Sequence, residues 1–138
     1  KSKEMRDLLT KSYSQTHKAL AEFSNLDVAM VGIGSAEAKA YSVKDFNFFS
    51  DQQFQLARSK GAVAEINLRF IDADGKPVKT ELDNLVIGIS LEQLKKVPLK
   101  IGVSGGASKH IATLAVARGQ WVDVLITDNE TANFLLEN

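Results

Sequence analysis

A glycine-rich segment in the last third of the chain carries the strongest chemical signal in the sequence. It reads Ile101-Gly102-Val103-Ser104-Gly105-Gly106-Ala107-Ser108-Lys109, a pattern typical of a buried strand that passes directly into a helix. Glycines lack a Cβ, so backbone N–H groups can approach an anion closely there, and a helix N-terminus adds about half a positive charge. Lys109 would be unfavourable in the first helical turn without a bound anion. The segment therefore predicts a phosphate-sized anion site formed by Gly105, Gly106, Ser108 and Lys109.

The spacing of these glycines disfavours a nucleotide as the ligand. Gly102, Gly105 and Gly106 do not fit G-x-G-x-x-G, and the chain contains no G-x-x-x-x-G-K-[ST]. A smaller phosphorylated metabolite is the preferred ligand. The alternative is a tight strand–helix turn whose glycines serve packing alone.

Two further positions could contribute to the same site. Gly32-Ile33-Gly34-Ser35 is a second glycine loop at the end of an apolar run. Ligands of open parallel sheets bind beyond the carboxyl ends of the strands, although ordinary turn chemistry explains this loop equally well. Glu65 lies among small apolar residues and could accept hydrogen bonds from sugar hydroxyls. On the residues alone, a solvated glutamate at the start of a strand is the favoured interpretation of Glu65.

The remaining reactive residue types predict no catalytic residue, no metal and no cofactor. The chain has no cysteine, and its histidines, His17 and His110, lie in predicted helices without an acidic or histidine cluster at ligand spacing. Asp72-Ala73-Asp74-Gly75 lacks the third acidic position and the distal glutamate of a calcium loop, so we predict a hairpin turn. No serine lies in a G-x-S-x-G motif. Trp121 is predicted to pack in the core or at a domain edge.

The composition indicates one soluble globular unit rather than a nucleic-acid-binding module. The chain has 138 residues, 44% of them hydrophobic, and its 17 basic and 17 acidic residues cancel. A domain that neutralises nucleic-acid phosphates usually has a basic excess. No stretch approaches about eighteen consecutive apolar residues, and the start has no signal-peptide core. We expect a cytoplasmic protein that does not contact a membrane, and the missing initiator Met suggests that residues before Lys1 are absent.

The elements that would position the candidate residues alternate between strands and helices. An opening amphipathic helix precedes a buried strand at 28–34, residues 35–49 suggest a loop, and a helix begins at the Ser50/Gln53 capping box and ends at Gly61. Further strands are predicted at Ile66–Ile71, Leu85–Ile89, Leu99–Val103 and Val122–Ile126, with a short return at Lys76–Val78 and helices after Ser90, Ala107 and Asp128. Short loops between alternating strands and helices predict parallel strands joined by right-handed crossovers, and hence a single α/β domain.

Several blocks of the sequence resemble the sugar-binding domain of SorC-type (CggR/DeoR-like) transcriptional regulators. These blocks occur in the same order and at about the same spacing as in that family, from Asp27 to the end of the chain. No single block identifies the family, but the set of blocks is specific for it. The blocks are Val31–Ser35, Gly61–Val63, Phe70–Gly75, Val86–Leu94, Gly102–Lys109 and Val124–Asp128.

The resemblance implies a parallel-sheet Rossmann-like fold of the NagB/RpiA/CoA-transferase type, used for sensing. Family members join a helix-turn-helix module to this effector domain, and a phosphosugar alters their oligomerisation and operator binding. The resemblance thus implies a sugar-binding effector domain over residues 1–138 with a phosphorylated sugar as effector. It also implies that operator DNA is contacted only through a helix-turn-helix module absent from this chain, and that the protein is a homo-oligomer, a dimer or a tetramer.

Three site residues follow from matching this chain to the family pattern. Lys109 matches the family's phosphate-holding lysine, and Glu65 matches its carboxylate after the Gly-Ala-Val block, which would accept sugar hydroxyls. Lys44 is the nearest match to a basic residue that helps to hold phosphate. The family's domain also has an earlier part with a Gly/Thr-rich phosphate loop, which this chain lacks. We therefore expect a fragment that is incomplete on its N-terminal side and holds only part of the pocket.

Two other functions remain open at this point. The same fold type occurs in phosphosugar isomerases and deaminases, but proton transfer between sugar carbons usually needs a positioned base and a second acid–base group. Glu65 has no convincing partner among the histidines, so a sensor without enzymatic activity is preferred. The third possibility is an oligomerisation unit that has lost ligand binding.

Overall fold

A six-stranded mixed sheet forms the centre of the computed structural model, which describes residues 2–37 and 49–138. The strands are β1 (Val28–Ser35), β2 (Ala62–Ile66), β3 (Arg69–Asp72), β4 (Pro77–Val78), β5 (Leu99–Val103) and β6 (Val124–Ile126). The α-helices are α1 (Lys3–Ser12), α2 (Ser14–Ala21), α3 (Asp51–Ser59), α4 (Leu91–Lys96), α5 (His110–Arg118) and α6 (Asn129–Glu137). Short 3₁₀ turns cover Glu22–Ser24, Glu81–Leu85 and Ala107–Lys109.

The strand order is β4-β3-β2-β1-β5-β6, and the sheet divides into two halves. Strands β1, β5 and β6 are parallel, whereas β2, β3 and β4 join them by antiparallel pairing. The α/β fold class is confirmed. The parallel arrangement expected for the whole sheet holds for the half that carries the glycine-rich corner.

The prediction of one strand over Ile66–Ile71 is wrong, because the chain reverses direction at Asn67 and Leu68. Both residues have positive φ angles, 52° and 62°, as in the two-residue turns that connect antiparallel strands. Glu65 stabilises the reversal, since its Oε2 accepts a hydrogen bond from the Leu68 N–H at 2.6 Å. In the sequence, the apolar Leu68 fits the alternation of apolar and polar residues that is typical of a strand. The sequence pattern therefore does not indicate the turn.

The predicted strand at Leu85–Ile89 is also wrong. A 3₁₀ turn ends at Leu85, and the following residues join no strand of the sheet. The buried Arg69 side chain contacts the backbone in this region: its Nη1 donates to the Asp83 carbonyl at 2.9 Å, and its Nη2 donates to the Val86 carbonyl at 3.5 Å. Within the predicted strand, the Val86 carbonyl is thus bound by a side chain rather than by a neighbouring strand.

The local signals for helix ends and turns are confirmed. Capping boxes join Ser50 to Gln53 and Ser90 to Gln93, and Gly61 follows α3 with a φ of 94°. The Asp72 carboxylate accepts two backbone N–H groups within the predicted hairpin turn. Trp121 is 3% exposed, and its Nε1 donates to the Gly75 carbonyl at 2.8 Å.

Two apolar clusters pack the sheet. The larger one joins α4 and α5 to β1, β2 and β3, and the smaller one joins α3 to the opposite side of β3. Adjacent residues Phe70 and Ile71 belong to different clusters, so β3 is covered on both faces.

The parallel half of the sheet is covered on one face and largely exposed on the other. On the exposed face, register rows align Val28 with Leu99, Met30 with Ile101 and Val124, and Gly32 with Val103 and Ile126. Met30 is 66% exposed, and the following side chains are also exposed: Val28, Leu99, Val103, Val124 and Ile126. Contiguous exposed apolar surfaces of this kind are typical of interaction sites and ligand-binding grooves.

Candidate functional site

The predicted anion site lies at the corner between β5 and α5, which comprises residues Gly105–Lys109. Gly105 follows β5 closely, and Ser104 ties this end to the neighbouring strand because its N–H donates to the Ile126 carbonyl at 3.1 Å. Ser35 ends β1 and Asp128 follows β6, so three parallel strands deliver their carboxyl ends to this edge of the sheet. This is the edge at which open α/β sheets bind ligands.

Some backbone amides at the corner donate hydrogen bonds within the chain, and others have no acceptor in its described part. The Lys109 N–H donates to the Gly106 carbonyl at 2.9 Å, and the Gly106 N–H donates to Asp128 Oδ2 at 2.5 Å. The amides of Gly105, Ala107 and Ser108 have no acceptor within residues 2–37 and 49–138, and all three residues are exposed. These three amides are therefore the backbone donors that an anion could use.

A buried chain of hydroxyl groups fixes the corner from beneath. Thr113 on α5 is fully buried, and its Oγ1 donates to the Lys109 carbonyl at 2.8 Å. The same oxygen lies 2.8 Å from Ser104 Oγ. Since the single proton of Thr113 is used on Lys109, Ser104 is the donor of that second bond. The backbone of Lys109 is thus tied to the end of β5, while its ammonium group forms no ion pair or hydrogen bond in the described part of the chain.

Glu65 lies one strand further along, directly against the glycine loop of β1. Gly34 and Glu65 are register partners, and a Cβ added at Gly34 would clash with the Glu65 carboxylate. Gly34 is therefore required by the close approach of this side chain. The interpretation of Glu65 as a solvated glutamate is wrong, because the residue is partly buried and pairs within the sheet.

The electrostatics connect Glu65 with Lys109. Burial raises the pKa of the Glu65 carboxyl above its ordinary value. The hydrogen bond from Leu68 and, to a lesser extent, the positive charge of Lys109 lower that pKa and oppose the effect of burial. The Lys109 ammonium therefore lies close enough to influence Glu65, although the two groups form no ion pair. A cation and a partly buried carboxylate share one small region.

The two glycines of the corner also have structural roles. Gly106 has a φ of 91°, which side-chain-bearing residues rarely adopt, and a Cβ on Gly105 would lie 2.5 Å from Asp128 Oδ2. Their presence alone does not require a ligand. The free amides and the unpaired Lys109 are the features that packing does not explain.

The structure groups most of the candidate residues but not all. Gly105, Gly106, Ser108 and Lys109 share the corner, and Glu65 lies within reach of the Lys109 charge. Lys44 lies outside the described residues. Asp128 was predicted only as a helix cap, and its contact with Gly106 has no local signal because the two residues meet only when β6 lies beside β5.

The described residues contain neither a metal-binding cluster nor a membrane-spanning helix. Across residues 2–37 and 49–138, no group of three or more His, Cys, Asp or Glu side chains is placed to hold a metal ion. Within the same ranges, every helix is too short or too polar to cross a bilayer.

The fold is that of an α/β domain, and comparison with known families gives its class. The family model described as "Putative sugar-binding domain" matches residues 1–137. The chain belongs to this family, which is the sugar-binding domain of SorC- and DeoR-type transcriptional regulators.

Individual relatives agree with this assignment. The transcriptional regulator LsrR of Klebsiella pneumoniae is 33% identical over 138 residues, which cover 98% of this chain and 42% of LsrR. A DeoR family transcriptional regulator from Listeria monocytogenes superposes with a TM-score of 0.89 at 31% identity, covering 96% of this chain and 53% of that one. The full-length sorbitol operon regulator SorC of Klebsiella pneumoniae shares the fold, with a TM-score of 0.88 at 24% identity over 98% of this chain and 43% of SorC. The chain spans about half the length of these relatives or less.

Proposed function

We propose that residues 1–138 form the ligand-sensing part of a transcriptional regulator and bind a phosphorylated sugar at the β5–α5 corner. One observation carries the proposal: the Lys109 ammonium, which has no partner in the described part of the chain, follows three free backbone amides at the corner, and its charge lowers the pKa of the Glu65 carboxyl. The cationic side suits a phosphate, and the carboxylate suits hydroxyl groups. A phosphosugar carries both groups in one small molecule.

The proposed binding mode divides the ligand between two kinds of contact. The phosphate accepts hydrogen bonds from the amides of Gly105, Ala107 and Ser108 and from Lys109, and charge-assisted bonds of this kind are the stronger ones. The Ser108 hydroxyl can add a further donor. Sugar hydroxyls donate to the Glu65 carboxylate, which is the stronger acceptor when it is ionised. Because Lys109 binds the phosphate, the Glu65 carboxylate stays available for the sugar.

We propose binding without turnover. An isomerase or deaminase would need a second acid–base group beside Glu65. Lys109 is the charged group whose field reaches Glu65 in the described part of the chain, and we assign it to the phosphate. His17 lies exposed on α2, and His110 stacks on Phe134 of α6 with ring centroids 4.7 Å apart.

The wider setting is part of the same proposal. We propose that the regulator binds operator DNA through a helix-turn-helix module outside residues 1–138, works as a homo-oligomer in the cytoplasm, and responds to the phosphosugar by changing its assembly. The balanced charge of this chain supports a separate DNA-binding module, because a nucleic-acid-binding domain usually carries a basic excess.

We also propose that these residues are only part of the sugar-binding domain. Parallel sheets occur almost always with both faces covered. The exposed apolar face of β1, β5 and β6 departs from this rule, and the Listeria regulator has about as much chain again beyond the aligned part. The remainder of the same polypeptide is the occupant that we assign to this face.

A binding and turnover experiment tests the sensor function. The full-length protein is screened by thermal shift against hexose and pentose phosphates, the matching unphosphorylated sugars and inorganic phosphate, and the best ligand is then titrated. Lys109→Ala should lower its affinity by about ten- to a hundredfold, because loss of a charge-assisted bond costs roughly 1.5–3 kcal/mol. Lys60→Ala, which removes an exposed lysine next to α3, is the matched control and should leave the affinity unchanged.

Two results would contradict the proposal. Conversion of any sugar phosphate to product would show an enzyme. Failure of every phosphorylated sugar to stabilise the full-length protein would leave the oligomerisation unit as the remaining function.

A further inference from the structure

Asp128 does more at the corner than cap a helix. Its carboxylate caps α6 by accepting the Thr131 N–H at 2.7 Å and the Thr131 hydroxyl at 3.1 Å, and it also accepts the Gly106 N–H at 2.5 Å. We propose that Asp128 is a built-in competitor for anions at the β5–α5 corner and thereby sets the threshold for ligand binding there. This inference rests on the proposed function, in which the corner holds a phosphate.

The shape of the corner fits the Asp128 carboxylate closely. A Cβ added at Gly105 would lie 2.5 Å from Oδ2 and 3.5 Å from Cγ, so the carboxylate lies directly against the bare Cα of Gly105. Gly106 then turns its N–H toward the same oxygen. A carboxylate of the chain itself therefore occupies one of the backbone donors of the corner.

The hydrogen bonds keep Asp128 charged. The bonds from the Thr131 and Gly106 amides hold the pKa of Asp128 below its ordinary value, so the side chain is ionised at neutral pH. A phosphate at the corner therefore meets a like charge beside the amides that would hold it. It must either displace Asp128 from Gly106 or bind next to it.

Lys109 makes binding possible despite this repulsion. It forms no ion pair in the described part of the chain, so Asp128 does not neutralise it. A doubly charged phosphate is attracted to Lys109 twice as strongly as a singly charged anion is. It is also repelled twice as strongly by the charge of Asp128. Removal of the Asp128 charge alone should therefore strengthen the binding of phosphate without any new contact.

The test compares four variants of the full-length protein, Lys109→Ala and three changes at Asp128 and Glu130, with inorganic phosphate as the probe, titrated by calorimetry. Asp128→Asn removes the charge and keeps one oxygen that can cap α6 through Thr131, while its amide nitrogen cannot accept the Gly106 N–H. Asp128→Ser also keeps a cap, but its shorter side chain releases the Gly106 amide. Glu130→Gln removes the same charge from the first turn of the same helix, and Glu130 is exposed with no bond to the corner, which makes it the matched control.

We expect Asp128→Asn to raise the affinity for phosphate by roughly three- to tenfold, as expected for removal of a partly screened like charge at close range. Asp128→Ser should bind at least as tightly as Asp128→Asn, and Glu130→Gln should change the affinity by less than about twofold. If Asp128→Asn proves to be poorly folded in thermal unfolding, the Asp128→Ser result decides.

The outcomes separate this inference from the proposed function. If Lys109→Ala abolishes phosphate binding but neither Asp128 variant strengthens it, the corner binds anions and Asp128 serves only as a scaffold, which overturns the inference. An equal gain from Glu130→Gln would also overturn it, because general charge rather than competition would then be responsible. If no variant binds phosphate or a phosphosugar, including those that remove the competing charge, the proposed function fails as well.

Discussion

Glu65 combines a structural role with a candidate binding role. Its carboxylate accepts the Leu68 N–H in a turn where two non-glycine residues adopt positive φ, a conformation that is unfavourable for leucine. The same side chain lies against Gly34 and within the field of Lys109. Charged groups held partly out of water while bound to a strained turn are typical of ligand sites.

Replacement of Glu65 by Gln should separate these roles. Because the folded-state pKa of Glu65 is raised, the folded protein holds this proton more tightly than the unfolded chain, and ionisation of Glu65 opposes folding as pH rises above its unfolded value. The free energy of unfolding of Glu65→Gln relative to wild type should therefore increase between about pH 4 and pH 7 in urea titrations. A constant difference across this range would show that Glu65 is solvated.

The same variant tests the binding role. Gln keeps an oxygen that can accept from Leu68 but is a weaker acceptor for hydroxyl groups, so phosphosugar affinity should fall by roughly tenfold. Affinity for inorganic phosphate should not fall, since that ligand has no sugar hydroxyls. Glu65→Ala is the contrasting variant and should lower the free energy of unfolding by about 1–3 kcal/mol, because it leaves the Leu68 amide without its partner.

At the scale of elements, the corner depends on the hydroxyl chain that joins β5 to α5. Ser104, Thr113 and the Lys109 carbonyl are connected by two bonds of 2.8 Å each, in a region closed to solvent. Buried polar groups of this kind are stable as a complete set and costly when one member is removed. The position of the Lys109 backbone therefore depends on Ser104 and Thr113.

Thr113→Val should break this connection with little change in side-chain volume. The Lys109 carbonyl and the Ser104 hydroxyl would lose their partner, and the free energy of unfolding should fall by about 1–3 kcal/mol in urea titrations. Thr113→Ser, which keeps the hydroxyl and loses one methyl group, should cost less, about 1 kcal/mol. Equal stability of Thr113→Val and wild type would mean that the hydroxyl chain contributes nothing.

The elements also show which features the sequence can predict. Helix caps such as Ser50/Gln53 and Ser90/Gln93 are local, and they were predicted because both partners lie within four residues. The hairpin at Asn67 and Leu68 was missed because a leucine in its turn imitates strand alternation. The strand predicted over Leu85–Ile89 is wrong because the Arg69 side chain that binds the Val86 carbonyl lies 17 residues away in sequence.

The same distinction applies to the candidate site. The strand–glycine–helix order of the Gly105–Lys109 corner is contiguous, so the sequence predicts it. The contact between Gly106 and Asp128 joins residues that are 22 apart in sequence, and it depends on β5 and β6 lying side by side. The closeness of Glu65 to Lys109 likewise depends on β2, β1 and β5 being neighbours in the sheet.

At the scale of the whole molecule, the sheet has one well-packed face and one apolar face that lacks cover over β1, β5 and β6. Its rows of aligned aliphatic side chains include Met30 at the centre of the register, paired with Ile101, which in turn pairs with Val124. A parallel sheet with water on one face is uncommon, because its strands usually read as apolar on both sides and are buried on both. The exposed face and the shorter length relative to known regulators support the proposal that more of the polypeptide packs here.

Met30→Gln tests this conclusion in the full-length protein. If the face is covered, the change places an amide among aliphatic side chains and should lower the free energy of unfolding by about 2–5 kcal/mol, through lost apolar burial and an unpaired polar group. Met5→Gln is the matched control, since Met5 is the other methionine and lies exposed on α1, and it should change stability by less than about 0.5 kcal/mol. An equally small effect of Met30→Gln would show that the face stays exposed in the intact regulator. In that case the cover would have to come from a transient partner rather than from the polypeptide itself.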